Sequence, residues 1–194
     1  MKSPKRSLVL ALALLLSACG YNAIQSADES VKAAWGEVQN QYQRRMDLIP
    51  NLVNTVKGAA NFEKETLIAV TEARAKVGQV TAGKDVVNDP AAFQKFQQAQ
   101  DGLSGALSRL LVVAEKYPEL TATQGFRDLQ VQLEGSENRI TVERMRFNET
   151  AQAFNTKRNS FPTVLIAGFF GSRFAEKQFF HAQAGAEQAP KVKF

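Results

Sequence analysis

From Val31 onward, apolar side chains recur at alternating spacings of three and four residues: Val31, Trp35, Val38, Tyr42, Ile49, Val53, Val56, Ala60, Leu67, Val70 and Val77. That period places them on one stripe of an amphipathic helix. Pro50 falls inside the stripe. Proline lacks an amide donor and its ring crowds the preceding turn, so it predicts a break or kink at residues 46–49. Because the stripe keeps its phase across the proline, the pattern favours a kink: one helix over residues 27–76, roughly 75 Å long at a rise of 1.5 Å per residue.

Two glycines in residues 78–84 end the pattern and predict a loop. Asn88, Asp89 and Pro90 then supply a helix start, with an acceptor at the cap and proline at the first helical position. The second helix carries Phe93, Phe96, Leu103, Leu107, Leu110 and Ala114 on one face. It stops near Lys116, because Pro118 disfavours helical geometry at Tyr117. Gly102 and Gly105 within it suggest a place where a neighbour comes close, as do Gly135 and Ser136 further on.

A third helix is predicted from residues 121–123, with the stripe Phe126, Leu129, Leu133, Ser136, Ile140, Phe147, Ala151, Phe154 and Phe161, and Pro162 closes it. Residues 163–170 suit a short fourth helix. Residues 171–194 form the remainder, with a further short helix over residues 175–180 and an extended tail. No alternation of period two persists. Long helices that are apolar on one side bury that side against one another, so the fold class is all-α, an elongated antiparallel bundle over residues 27–170 with a long, kinked first helix.

The N-terminus changes the picture. Lys2, Lys5 and Arg6 precede an apolar run over residues 8–16, followed by Ser17, Ala18, Cys19 and Gly20. Positive start, short apolar region and small residues are the parts of a secretory signal. A membrane-spanning helix needs roughly 20 apolar residues; the run over residues 7–18 falls short and is followed by Gly20 and Asn22. Leu16-Ser17-Ala18-Cys19 resembles the lipobox of bacterial lipoproteins, in which the cysteine sulfur receives a diacylglyceryl group and the chain is cut before it. Cys19 is the only cysteine, so an intramolecular disulfide is excluded. A plain secretory signal cut near Ala18 is the competing reading, and it leaves a free terminal thiol.

On the lipoprotein reading, residues 1–18 are removed and residues 19–26 tether the bundle. Three of the 24 Lys and Arg leave with the signal, so 21 remain against 19 Asp and Glu. The precursor's pI of 9.4 is therefore no argument for nucleic-acid binding. Basic and acidic residues alternate along the helices, as in Arg44, Arg45 and Asp47, which reads as solvated faces.

Several strings resemble the LemA family: Tyr21-Asn22, Trp35, Arg45-Met46-Asp47-Leu48-Ile49-Pro50-Asn51-Leu52-Val53, Phe62-Glu63, Val70-Thr71-Glu72-Ala73-Arg74, Glu115-Lys116-Tyr117-Pro118-Glu119-Leu120, Phe126-Arg127-Asp128-Leu129, Arg146-Phe147-Asn148, Phe154-Asn155 and Phe161-Pro162. The similarity covers the mature chain. It implies an antiparallel four-helix bundle held at a bacterial membrane by its N-terminus, without established enzymatic activity. Many members keep a membrane-spanning N-terminal helix; this chain resembles the lipid-anchored minority. Phe147 departs from the pattern, since tyrosine is more usual before that asparagine.

Catalytic chemistry is sparse. The only histidine, His181, sits beside Phe179 and Phe180 in the C-terminal segment, which suggests packing and excludes a di-iron Glu-x-x-His site, zinc sites with several histidines, and haem. No cofactor and no metal are expected. A polar cluster is expected from Arg45, Asp47 and Asn51 at the proline kink and Glu137, Arg144 and Asn148 on the third helix. It reads chiefly as a structural network that satisfies carbonyls freed at Pro50 and fixes helix register, and alternatively as a partner or ligand site.

The functional expectation is a non-enzymatic scaffold or adaptor attached to the membrane through a lipid on Cys19, with an envelope protein partner. The alternatives are a membrane-shaping protein that self-associates through Phe169, Phe170, Phe174, Phe179 and Phe180, and a small-ligand binder or enzyme using the Arg and Glu cluster. Gly20 in place of the aspartate associated with inner-membrane retention favours the outer membrane in a host with two.

Overall fold

A computed structural model describes residues 4–60, 62–81 and 86–182, with side chains described over 20–60, 62–80 and 86–182. The side chain of Cys19 and residues 183–194 of the tail lie outside that set. Helix α1 spans Pro4–Lys57, α2 Lys64–Thr81, α3 Pro90–Ala114, α4 Pro118–Thr121, α5 Gln124–Asn159 and α6 Thr163–Phe170, followed by a 3₁₀ turn at Gly171–Phe174. Among the described residues there is no strand, and the chain is an all-α bundle.

The first helix runs through Pro50 without interruption, then stops at Lys57. One helix over residues 27–76 is therefore not what forms. Gly58 N and Ala59 N bond back to Thr55 O and Val56 O at 3.2 and 3.1 Å, tightening the last turn. Lys57 places a cation at the negative end of the helix dipole. Phe62 then packs at a tilt against the Tyr117 ring of the next connection, centroids 4.9 Å apart. The apolar stripe restarts in α2, so its apparent phase across the turn misled: Ala60 is exposed, whereas Leu52, off the stripe, is buried.

The other helix ends follow local chemistry. Asp89 Oδ1 accepts from Ala91 N and Ala92 N at 2.9 and 3.2 Å ahead of Pro90, the start that the sequence predicted. Thr123 Oγ1 accepts from Phe126 N and caps α5. Gly171, at φ 55°, ends α6 in a conformation that side chains avoid.

Cross-helix pairs define the directions. Trp35 meets Phe147 and Arg45 meets Glu137, so α1 and α5 are antiparallel. Trp35 also meets Phe96 while Arg45 meets Gln100, so α3 runs with α1. Helix α2 packs along α3. Two apolar clusters fill the interior. One joins α1 near Trp35, the start of α3, the later half of α5 and the C-terminal segment; the other joins the end of α1, α2, the end of α3 and the start of α5. Each fully buried Leu or Phe contributes on the order of 1.5–3 kcal/mol.

Beyond the 3₁₀ turn the chain is extended over residues 175–182, not helical as predicted for residues 175–180. It lies as a strap across the first cluster and buries Phe180, beside the buried Phe174 of the turn. Its backbone finds side-chain partners instead of helical ones, as described below. The close helix approach expected at Gly102 and Gly105 is absent, a Cβ at either meeting nothing within 4 Å; of the Gly135-Ser136 pair, Gly135 is likewise open and Ser136 is buried. The tight contact is at Gly20, where a Cβ would lie 2.7 Å from Ile166 Cδ1 of α6.

Candidate functional site

Arg45 sits one turn before Pro50, on the face of α1 that looks across the bundle, and is 1% exposed. Its Nη1 donates to Ser104 Oγ and Glu137 Oε1, each at 2.6 Å, and its Nη2 donates to Gln100 Oε1. Three helices thus converge on one guanidinium. Glu137 lies at the edge, its side chain 40% exposed. A second polar group stacks beside the first. Arg144 of α5 donates to Tyr42 Oη at 2.6 Å and to Asp101 Oδ1 at 2.9 Å. Both guanidinium groups lie over the Tyr42 ring, at 5.2 and 5.6 Å.

Burial pushes the Tyr42 phenol upward, only partly offset by Arg144 and Arg45. Burial alone would lower Arg144; Tyr42 and Asp101 outweigh it, and the net shift is upward. Both groups therefore hold their protons through the neutral range, Tyr42 neutral and Arg144 charged. Neither is poised for proton transfer.

The third polar arrangement was not predicted. Asn148, Asn155 and Gln97 clamp the strap through its backbone. Asn155 donates to Lys177 O and accepts from Lys177 N, both at 2.9 Å. Asn148 does the same with Phe180 O and N, at 2.9 and 2.8 Å. Gln97 donates to His181 O at 2.7 Å. The two asparagines are seven residues apart on one face of α5, a spacing readable in the sequence once an extended segment is known to lie there. Lys177, 3% exposed, reaches Asp28 Oδ1 at 2.7 Å and lies over the Phe154 ring at 4.7 Å. Burial would raise the Asp28 carboxyl, but Lys177 and Lys32 more than offset it and hold it below its ordinary value.

The six residues expected at a polar cluster thus divide. Arg45 and Glu137 meet directly. Arg144 lies next to them through Tyr42, and Asn148 of α5 holds the strap. Asp47 and Asn51 face solvent, Asp47 accepting from Gln43 at 2.7 Å. Gln100, Asp101 and Ser104 complete the network; Gln100 is a polar position inside the apolar stripe of α3, which was the available signal, while Asp101 and Ser104 flank that stripe. His181 is exposed, not packed.

Grooves flank the network. One of about 240 Å³ is lined by Tyr42, Met46, Phe96 and Gln100, and one of about 380 Å³ by Ser104, Leu107, Leu133 and Glu137. A third, about 630 Å³, runs between α5 and the strap along Arg144, Asn148 and Phe180. Among the described residues, no three of His, Cys, Asp and Glu converge on a point that could hold a metal ion. Among the same residues, no helix is long and apolar enough to cross a membrane.

Several known proteins resemble this chain. It is 25% identical over 185 residues to the magnetosome protein MamQ of Magnetospirillum gryphiswaldense, covering 86% of this chain and 66% of that protein. It is 26% identical to magnetosome protein MamQ 2 of Paramagnetospirillum magneticum, covering 80% and 63%. It is 27% identical to protein LemA of Metamycoplasma hominis, covering 75% and 59%. The chain thus spans less than two-thirds of the length of each. A family model matches residues 34–194, from the turn of α1 that carries Trp35 through both polar clusters and the strap, and the chain belongs to the LemA family.

Proposed function

We propose that this chain is a non-enzymatic lipoprotein, anchored to the bacterial envelope through a lipid on Cys19, whose bundle serves as a scaffold or adaptor for an envelope protein. The observation that supports this reading is the commitment of its buried polar groups to one another. Arg45 through its two Nη atoms, and Arg144, Asn148 and Asn155, make helix-to-helix or helix-to-strap hydrogen bonds. Such groups fix the register of long helices. The lipobox-like Leu16-Ser17-Ala18-Cys19 supports the anchor. One acyl chain holds a protein marginally and two or three hold it stably. Gly20 favours the outer membrane where there are two, although packing against Ile166 gives that glycine a second reason.

The test is crosslinking in intact cells followed by capture of the membrane-bound chain. A partner recovered above background, and lost with charge reversals at the exposed far end of the bundle, fits a scaffold. Capture of no partner counts against it. A second reading, self-association that shapes the membrane, keeps support from exposed Phe169 and Phe170. Phe174 and Phe180 no longer belong to it, because they are core residues. Unchanged vesicle shape under dense lipidated protein argues against that reading.

A further inference from the structure

The apolar surface of this molecule is unevenly distributed. Among the described residues, five of the ten exposed large apolar side chains, Phe161, Val164, Leu165, Phe169 and Phe170, lie within ten residues at and around α6. Phe161 is 81% exposed and Phe169 86%. The opposite side of α6 is spent on the bundle: Thr163 and Ala167 are buried, and Ile166 presses on Gly20. Helix α6 is thus amphipathic in an inverted sense, with small residues inward and large apolar ones outward. Apolar patches of this kind on a surface mark a contact.

Its position names the contact. Gly20 directly follows Cys19, and the same helix α1 carries the apolar run over residues 8–16 upstream. The Tyr21 ring packs at a tilt against that of Phe170, centroids 5.3 Å apart, so α6 is fastened to the first turn of the chain that follows Cys19. Basic groups border the patch. Lys157 and Arg158 end α5, and the Arg173 guanidinium lies 5.9 Å from the centre of the Phe170 ring while donating to Gln25. Glu176 is the acidic residue nearest in sequence and is exposed on the strap side. Large apolar side chains bordered by cations suit the boundary between acyl chains and anionic headgroups.

We propose that the outer face of α6 is a second membrane contact, inserted into the bilayer surface beside the lipid on Cys19, so that the bundle is held at two points and its tilt is restricted. The proposal rests on the membrane attachment proposed above. A photo-crosslinking residue placed singly at Leu165, Phe169 or Val131 in the full chain tests it in isolated membranes. Val131 is an equally exposed apolar position near the start of α5, in the half of the bundle away from Cys19. The expected result is lipid adducts at 165 and 169 and none at 131, in protein recovered with the membrane. Membrane-bound protein that gives no lipid adduct at 165 and 169, or crosslinks there to a second copy or another protein, overturns this contact and leaves the anchor standing. A chain absent from the membrane fraction overturns the anchor itself. All three positions are exposed, and circular dichroism of each variant verifies that the helices form.

Discussion

Arg45 carries its charge at 1% exposure, so its neighbours and not water determine its free energy. Removing Glu137 would leave that charge buried with only neutral partners. Glu137→Ala is therefore expected to destabilise the fold by about 3 kcal/mol in urea denaturation. An ordinary surface pair, which the 40% exposure of Glu137 would suggest, is worth below about 1 kcal/mol. A loss of that smaller size would contradict a central role for the cluster. Asp28 supplies a second prediction. Its folded carboxyl lies below the ordinary value of 3.8, so its contribution is complete above that value and is lost as pH falls through the lower, folded one. The thermal midpoint of the wild type should thus fall in acid more steeply than that of Asp28→Asn, which has no carboxyl to titrate and starts lower. Equal acid slopes would refute the Lys177–Asp28 pair as a contributor. The partners of Arg45 were only half legible in the sequence. Periodicity reports which face of a helix is buried, and says nothing of which polar side chain on one helix reaches which on another.

At the scale of elements, capping chemistry was read well and chain reversal poorly. Asp89-Pro90 and Thr123 start helices because their oxygens accept from the first free amides, a local effect visible in a few residues. The end of α1 depends instead on Phe62 and Tyr117, which are far apart in sequence and meet only in the fold. The strap was mistaken for a helix for a similar reason. Asn148 and Asn155 offer its backbone partners in place of its own turn. Asn155→Ala leaves the buried Lys177 amide and carbonyl unpaired, and a cost of about 1–3 kcal/mol is expected. Hydrogen exchange is the measurement: the Lys177 and Phe180 amides should exchange faster while those of α3 stay protected. Unchanged exchange at both would show that the Asn155 bonds do not hold the strap. Phe147, the departure from the family pattern, is fully buried among the Trp35, Phe93 and Phe180 rings, and its edge contact with Phe180 uses no hydroxyl.

At the scale of the molecule, the two ends of the bundle differ. From Cys19 to its end at Lys57, α1 is about 58 Å long at 1.5 Å per residue. One end gathers the residues that follow Cys19, α6 and the strap; the other presents the turns around Gly58 and Pro118 to solvent. A lipid at the first end would hold the second well away from the membrane surface, where a partner could be met. The all-α architecture was legible because long one-sided helices have few ways to bury their faces. The anchor is the claim on which the rest depends, and metabolic labelling with a clickable fatty acid, read together with membrane fractionation, tests it most directly. The wild-type chain is predicted to take up label and to remain with the membrane through high-salt washing, and Cys19→Ser to lose the label and accumulate with its N-terminal segment uncut. An unlabelled wild-type chain, or a labelled Cys19→Ser variant, would contradict the account.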